Sequence, residues 1–373
     1  MDQVPFRELN TPNSRIPEAE PPRHPFDRGK YRGEEVSMKA FCYNAGAAGD
    51  GTVYFEEVDR PKPKPGGHDI LVAVQGVAVN PVDTKVRRGL VPVPADVDVL
   101  GWDAAGIVEA IGEEVTFFQP GDEVFYAGSL LRSGANAEYH LVDERIVGRK
   151  PRSLNFAAAA ALPLTSLTAW ELLFDRLAVE PSKASEGALL VIGGAGGVGS
   201  ILIQIARQLT GLTVIATASR HESQDWCRSL GAHHVIDHTH SLSAELAGIG
   251  APPITYIAAL NETDHHWREI AEIVAPEGKV GVITDHETLD ATPLKTKSAS
   301  LHWEMVFTRS YFMTASMVRQ HEILNEISSL IDAGSLKSTL TQELHPISIE
   351  TLTEAHHLVE TGRMQGKVAL HGF

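Results

Sequence analysis

Cysteine is scarce in this chain: Cys42 and Cys227 are the only two in 373 residues, and they form no CxxC pair. That excludes a disulfide framework and a cysteine-rich structural zinc lobe, and it points to a reducing compartment, the cytoplasm. Basic residues are also short, with 32 Lys and Arg against 48 Asp and Glu and a net charge of −16. A surface of that sign repels a phosphate backbone, so nucleic acid is excluded as a partner. An uninterrupted apolar run long enough to cross a bilayer is missing too. The longest candidate, Phe156 to Leu173, is alanine-rich, is broken by Pro163, Thr165, Ser166 and Thr168 and reads as a soluble helix boundary, so no membrane role is expected.

Hydrophobic periodicity is absent from the first 37 residues, where Pro5, Pro12, Pro17, Pro21, Pro22 and Pro25 alternate with charges of both signs. Such a segment buries too little surface to offset the entropy of ordering it. It has no apolar core for a secretory signal, and its acidic residues argue against a transit peptide. Residues 1–37 are therefore expected to be a disordered extension, or a tail that packs on a partner subunit, with the compact fold beginning at Met38-Lys39-Ala40-Phe41.

What is present suggests about two domains for a chain this long. From Met38 to about Pro163 short apolar runs such as Ile70–Val79, Ala105–Ile111 and Glu123–Ala127 are punctuated by turns such as Pro65-Gly66-Gly67 and Gln119-Pro120-Gly121-Asp122, which predicts an all-β region. After Leu164 strands at Ala188–Ile192, Leu212–Ala218, His234–Asp237, Ile254–Leu260 and Lys279–Thr284 alternate with helical stretches, which predicts an α/β unit with a doubly wound parallel sheet. Past Phe307 come a helix at Gln320–Ala333, a strand-like Glu343–Ile347, a helix at Ile349–Thr361 and a last strand Lys367–Leu370, a tail expected to return and complete the first region.

Gly194-Ala195-Gly196-Gly197-Val198-Gly199 sits where the first of these strands meets the amphipathic stretch Val198–Leu209. In that context Gly194 serves the tight turn, Gly196 lets backbone approach a pyrophosphate, and Gly199 allows close helix–strand packing, while the helix N-terminus, with Gly197 and Val198, offers free N–H groups. The end of the next strand selects the cofactor. An Asp or Glu there would bind a ribose 2′-hydroxyl and repel a 2′-phosphate, but this chain has Ser219-Arg220, which suits a phosphate and favours NADPH over NADH. The competing reading leaves Arg220 solvated and gives the acidic role to Glu222.

Val79-Asn80-Pro81-Val82-Asp83-Thr84-Lys85, Leu100-Gly101-Trp102-Asp103-Ala104-Ala105-Gly106, Pro120-Gly121-Asp122-Glu123-Val124, Leu167-Thr168-Ala169-Trp170, the glycine turn and Gly362-Arg363-Met364-Gln365-Gly366-Lys367 together resemble the medium-chain dehydrogenase/reductase superfamily. Within it the likeness is nearest to quinone oxidoreductases and the zinc-type alcohol dehydrogenase-like branch, and it runs from Met38 to Phe373. The resemblance implies a GroES-like β-rich catalytic domain from residues 38–163 and 308–373, and a Rossmann NADP-binding domain from 164–307.

The zinc enzymes of that superfamily place a Cys and a His where this chain has Asn80 and Trp102, followed by Asp103, and a further ligand near the domain junction, where Phe156–Thr168 holds no Cys, His or Glu. No metal is expected. The pairs His233-His234, His265-His266 and His356-His357 do not change this, because sequence neighbours point apart on a strand or helix. Oxidising a plain alcohol is hard without a Lewis acid, so reduction of an electron-poor acceptor, a quinone or an α,β-unsaturated carbonyl, is the expected reaction. An NADPH-binding protein with little turnover and a zinc-dependent alcohol dehydrogenase are the rivals.

By resemblance, Asn80 and Thr168 contact the nicotinamide half of the cofactor and Arg363 reaches a cofactor phosphate. Asn80 also fits a turn before Pro81, Thr168 a helix cap and Arg363 a solvated helix end. Lys85 stands where several quinone oxidoreductases carry a substrate-assisting tyrosine, Trp102 offers a flat apolar wall, and Tyr126 is placed to line the same cleft. Their plainer readings are a surface lysine and core aromatics. Leu301–Tyr311 reads as an exposed edge strand, so a homodimer is expected, with an edge covered by the N-terminal extension as the other solution.

Overall fold

The computed structural model describes residues 36–43 and 55–373, so nearly all of the expected extension, residues 1–37, lies outside the described residues. Strands β1 (Ser37–Tyr43) and β2 (Phe55–Pro61) pair antiparallel as a small separate sheet. β3 (Asp69–Ala78) is largely β-branched and apolar, with Ile70, Val72 and Val74 buried on one face and Leu71 on the other, and it forms the centre of a seven-stranded sheet. Helix α1 (Pro81–Arg87) follows at once, with Pro81 in its first turn where a missing N–H costs nothing. β4 (Ala104–Ile111), β5 (Glu123–Tyr126), β6 (Tyr139–Asp143) and β7 (Val147–Arg149) extend the sheet by antiparallel pairing.

Helices α2 (Phe156–Ala160) and α3 (Pro163–Trp170) lead from this sheet to the second one. The stretch Phe156–Arg176 is long and apolar enough to cross a membrane by length and composition, yet 89% of its most apolar window is buried against the rest of the protein. Its apolarity is spent on the core.

The second sheet alternates β8 (Ala188–Ile192), α4 (Gly197–Leu209), β9 (Thr213–Thr217), α5 (His221–Ser229), β10 (His234–Ile236), α6 (Leu242–Gly248), β11 (Ile254–Ala259), α7 (Thr263–Ile273), β12 (Val274–Val282) and β13 (Ser300–Trp303). All its pairings are parallel, and the order β10-β9-β8-β11-β12-β13 reverses direction between β8 and β11. Ligands of such sheets bind outside the carboxyl ends at that reversal. Burial of Ile201, Leu202 and Ile205 from α4 fixes the helix on the sheet, at about 1.5–3 kcal/mol for each side chain.

The chain then forms α8 (Thr308–Tyr311), α9 (Arg319–Asp332), β14 (Leu340–Leu344), α10 (Ile349–Glu360) and β15 (Lys367–His371), and β15 pairs antiparallel with β3, bringing β14 with it. The strand expected over Leu301–Tyr311 is corrected: β13 stands at the sheet edge but ends at Trp303, and the chain turns into α8. Glu304 and Arg309 are buried charges whose partners lie inward, so the segment cannot continue as a flat edge.

Candidate nucleotide-binding cleft

A cleft of about 870 Å³ opens at the carboxyl ends of β8 and β11, walled on the other side by α1, α3 and the residues leading into β15. Its centre is the glycine turn. Gly193 takes φ +84° and Gly196 caps α4 with no side chain, so the first amides of the helix have no internal partner where Gly196, Gly197, Val198 and Gly199 line the cleft. A Cβ on Gly199 would sit 2.4 Å from the Gly193 carbonyl oxygen, so helix and turn meet there as close as backbone allows. Gly194 is not the turn residue: Gly193 does that work and faces the cleft, while Gly194 packs so tightly on Ala216 that a Cβ would come within 2.8 Å of it. The motif showed glycines; which of them carried the positive φ was not visible in it.

Ser219 and Arg220 follow β9 and line the cleft, as does Arg363, whose carbonyl accepts a 2.6 Å hydrogen bond from Arg220 Nη2. Glu222 is exposed on α5 and does not line this cleft. Ser223, which sequence reasoning passed over, is buried at the cleft wall and accepts a hydrogen bond from Gln365 at 3.3 Å. Thr168 lines the cleft from inside α3, with its hydroxyl on the Leu164 carbonyl at 2.7 Å, so it is not a helix cap.

Two expected catalytic residues lie elsewhere. Trp102 is 1% exposed, donates to the Arg132 carbonyl at 3.3 Å and meets the cleft residue Phe307 edge-on. Tyr126 is equally buried; its hydroxyl bonds His140 at 3.0 Å, its ring stacks on that imidazole, and burial pushes the phenol far above its ordinary range. Burial likewise holds His140 down at about 4, so the pair is neutral core. Neither aromatic lines the cleft. Tyr126 pairs with Ala104 in the β4–β5 ladder on a stretch of β5 buried on both faces, and Trp102 lies just before β4 with its ring in the core. Lys85 does line the cleft, and its ammonium meets Asp285, on the loop after β12, at 2.7 Å.

The floor of the cleft is a buried polar cluster that includes Lys367, a cleft residue not singled out from the sequence. Asp83 accepts from the Asn80 and Gly101 amides at 2.8 and 3.0 Å, and Asp103 accepts from the Leu164 amide at 3.0 Å. Lys367 Nζ lies 3.2 Å from Asp103 and 2.9 Å from the Val79 carbonyl oxygen, and it also donates to Asn80 Oδ1. Burial raises Asp83 to about 6, raises Asp103 and lowers Lys367. The only sequence signal for Lys367 was its place after Arg363 and Gly366 in a quoted motif. A zinc ion does not fit here. Thiolate and imidazole are absent from the cluster, and the Asp103 carboxylate is already shared by Lys367, Asn80 and a backbone amide.

A second buried charge cluster lies under the segment that joins β13 to α8. Glu304 contributes to the cleft wall, but its carboxyl group is fully buried 2.7 Å from Arg176, in the company of Glu171 and Arg309. Burial, then the neighbouring Glu171, push Glu304 up to about 8 against the pull of Arg176.

Two family profiles match the chain: "Alcohol dehydrogenase GroES-like domain" over residues 66–152 and "Zinc-binding dehydrogenase" over 230–370. A zinc-type alcohol dehydrogenase-like protein of Staphylococcus aureus (strain COL) is 42% identical over 320 residues, 85% of this chain and 95% of the relative. The 2-methylene-furan-3-one reductase of Solanum lycopersicum is 30% identical over 316 residues, 81% of this chain and 71% of the relative. Among solved structures, a putative zinc-dependent alcohol dehydrogenase from Rhizobium etli CFN 42 superposes with a TM-score of 0.85 at 53% identity, covering 90% of this chain and 98% of the other. With a GroES-like β-rich part, a Rossmann-like parallel sheet and these matches, the chain belongs to the medium-chain dehydrogenase/reductase family and is an oxidoreductase of that family.

Proposed function

We propose that this protein is an NADPH-dependent reductase of quinones, enones or similarly activated carbonyl compounds, working without a catalytic metal. The observation that carries this reading is a single cleft holding an uncapped helix N-terminus, the Ser219-Arg220 and Arg363 groups, and a Lys367 ammonium on the carboxylate of Asp103. When bound, a nicotinamide cofactor supplies the hydride. The amides of Gly197, Val198 and Gly199 bind its pyrophosphate, the guanidinium groups of Arg220 and Arg363 meet a 2′-phosphate, and Thr168 orients the nicotinamide end, against which Asn80 stands. Val91, Leu130 and Phe307 exclude water from the acceptor, and Lys85 is the cation at the mouth, freed when it leaves Asp285. The enone reductase among the relatives supports this acceptor class.

Steady NADPH oxidation with a panel of quinones, enones and aldehydes tests the reading: turnover of the first two with a clear preference over NADH is expected. NADPH binding without reduction of any acceptor would replace it with a binding role, and chelator-sensitive alcohol oxidation with stoichiometric zinc would replace it with the metal enzyme. We further infer a cytoplasmic homodimer joined at the end of β13, where Trp303, Tyr311 and Phe312 are exposed. Sedimentation equilibrium reads that state directly.

A further inference from the structure

Lys367 is an unusual group to find in a cleft. It is 4% exposed, and its stem runs over the glycine turn, where a Cβ added to Gly197 would come within 3.0 Å of Lys367 Cδ. An ammonium has three N–H bonds and accepts nothing. Here the three are spent on the Val79 carbonyl, Asn80 Oδ1 and Asp103 Oδ2, so none is left for a substrate.

The consequence falls on Asn80. Its carboxamide oxygen must face the ammonium, because the ammonium only donates. Its nitrogen then donates one hydrogen to Asp103 Oδ2 at 3.0 Å, and its second hydrogen has no partner among the described residues. Its backbone is held as well, through the amide bonded to Asp83. Asn80 lines the cleft, so the group it has left to offer there is an N–H whose direction the surrounding charges dictate. Without Lys367 nothing holds the carboxamide oxygen and only the bond to Asp103 restrains the group, so its free N–H is no longer fixed toward the cleft.

We propose that Lys367, together with Asp103, is a positioning residue that locks the Asn80 carboxamide so that its free N–H donates to the oxygen of the acceptor as that oxygen becomes negative. Asn80 is then the catalytic residue and Lys367 acts through it. This rests on the reductase reading above. It assigns to an internal ammonium and an amide the stabilisation that a metal would otherwise give, by a preorganised donor on the buried floor of the cleft.

The test uses the full-length protein with NADPH and whichever acceptor the wild type reduces fastest. Asn80→Ala and Lys367→Met are each expected to lower kcat about 100-fold while KM for NADPH moves less than about threefold. The double variant is expected to be no slower than Asn80→Ala alone, because a residue that works through Asn80 has nothing to add once Asn80 is gone. Lys367→Ala with added methylammonium should recover part of kcat, which also serves if Lys367→Met folds poorly. A readout independent of turnover comes from asparagine-selective 15N labelling of the cofactor-free protein: the Asn80 side-chain amide should give one slowly exchanging hydrogen in the wild type and lose it in Lys367→Met. Full kcat in Asn80→Ala, losses that multiply in the double variant, or an Asn80 amide unchanged by Lys367→Met would each overturn the proposal. A wild type that reduces no acceptor counts against the reductase reading, and the amide signal still decides whether Lys367 holds Asn80.

Discussion

Glu304 keeps a proton that the unfolded chain gives up. Its folded value of about 8 stands above the ordinary 4.5, so between those two values the native state binds more protons than the unfolded one and stability falls as pH rises through that window. Glu304→Gln removes the titration. Its melting temperature is expected to match the wild type near pH 4 and to exceed it increasingly up to about pH 8, with a gain of several kcal/mol that stays level above, measured by calorimetry across that range. Arg220 carries the second prediction at this scale. Charge-assisted hydrogen bonds are worth about 1.5–3 kcal/mol, so Arg220→Ala should raise KM for NADPH roughly 10- to 100-fold and leave KM for NADH nearly unchanged. The serine and arginine were legible in the sequence because they end an apolar strand. Trp102 and Tyr126 were misread for the opposite reason. Nearness to a motif says nothing about which way a side chain points, and both point into the core.

The elements that sequence found most easily are those whose apolar runs are continuous, β3 and β8, since strands buried on both faces need no alternation. β13 was overextended because the apolar residues Val306 and Phe307 continue past it, buried not by a sheet but beside a short helix. The junction of β8 and α4 yields the third prediction. Gly199→Ala pushes a methyl group to 2.4 Å from the Gly193 carbonyl oxygen, so the turn must open. A stability loss of about 1–3 kcal/mol is expected, with NADPH affinity falling further than stability, as read by paired denaturation and fluorescence titrations. Gly193 itself was invisible as the positive-φ position, because a run of glycines does not say which one bends.

The whole molecule closes its cleft between two sheets, so a ligand seated there ties them together. NADPH at a hundredfold excess over its Kd should stabilise the protein by about 2.7 kcal/mol, seen as a rise in melting temperature that NADH reproduces only at higher concentration. The cleft's floor was the least legible part of the fold. Asn80, Asp83, Asp103 and Lys367 come from three separate stretches of chain, and no local pattern announces that a lysine far along the sequence will lie against carboxylates near its start.

That arrangement has a consequence for the order in which the protein is made. A ribosome that has finished all six strands of the parallel sheet has still not produced β15, the neighbour of β3 and the carrier of Lys367. Through most of translation Asp103 therefore waits without its counter-charge and the Gly76–Ala78 end of β3, beyond its pairing with β6, lacks a neighbour on one side, so the nascent chain depends on shielding of that strand end until synthesis has passed Lys367.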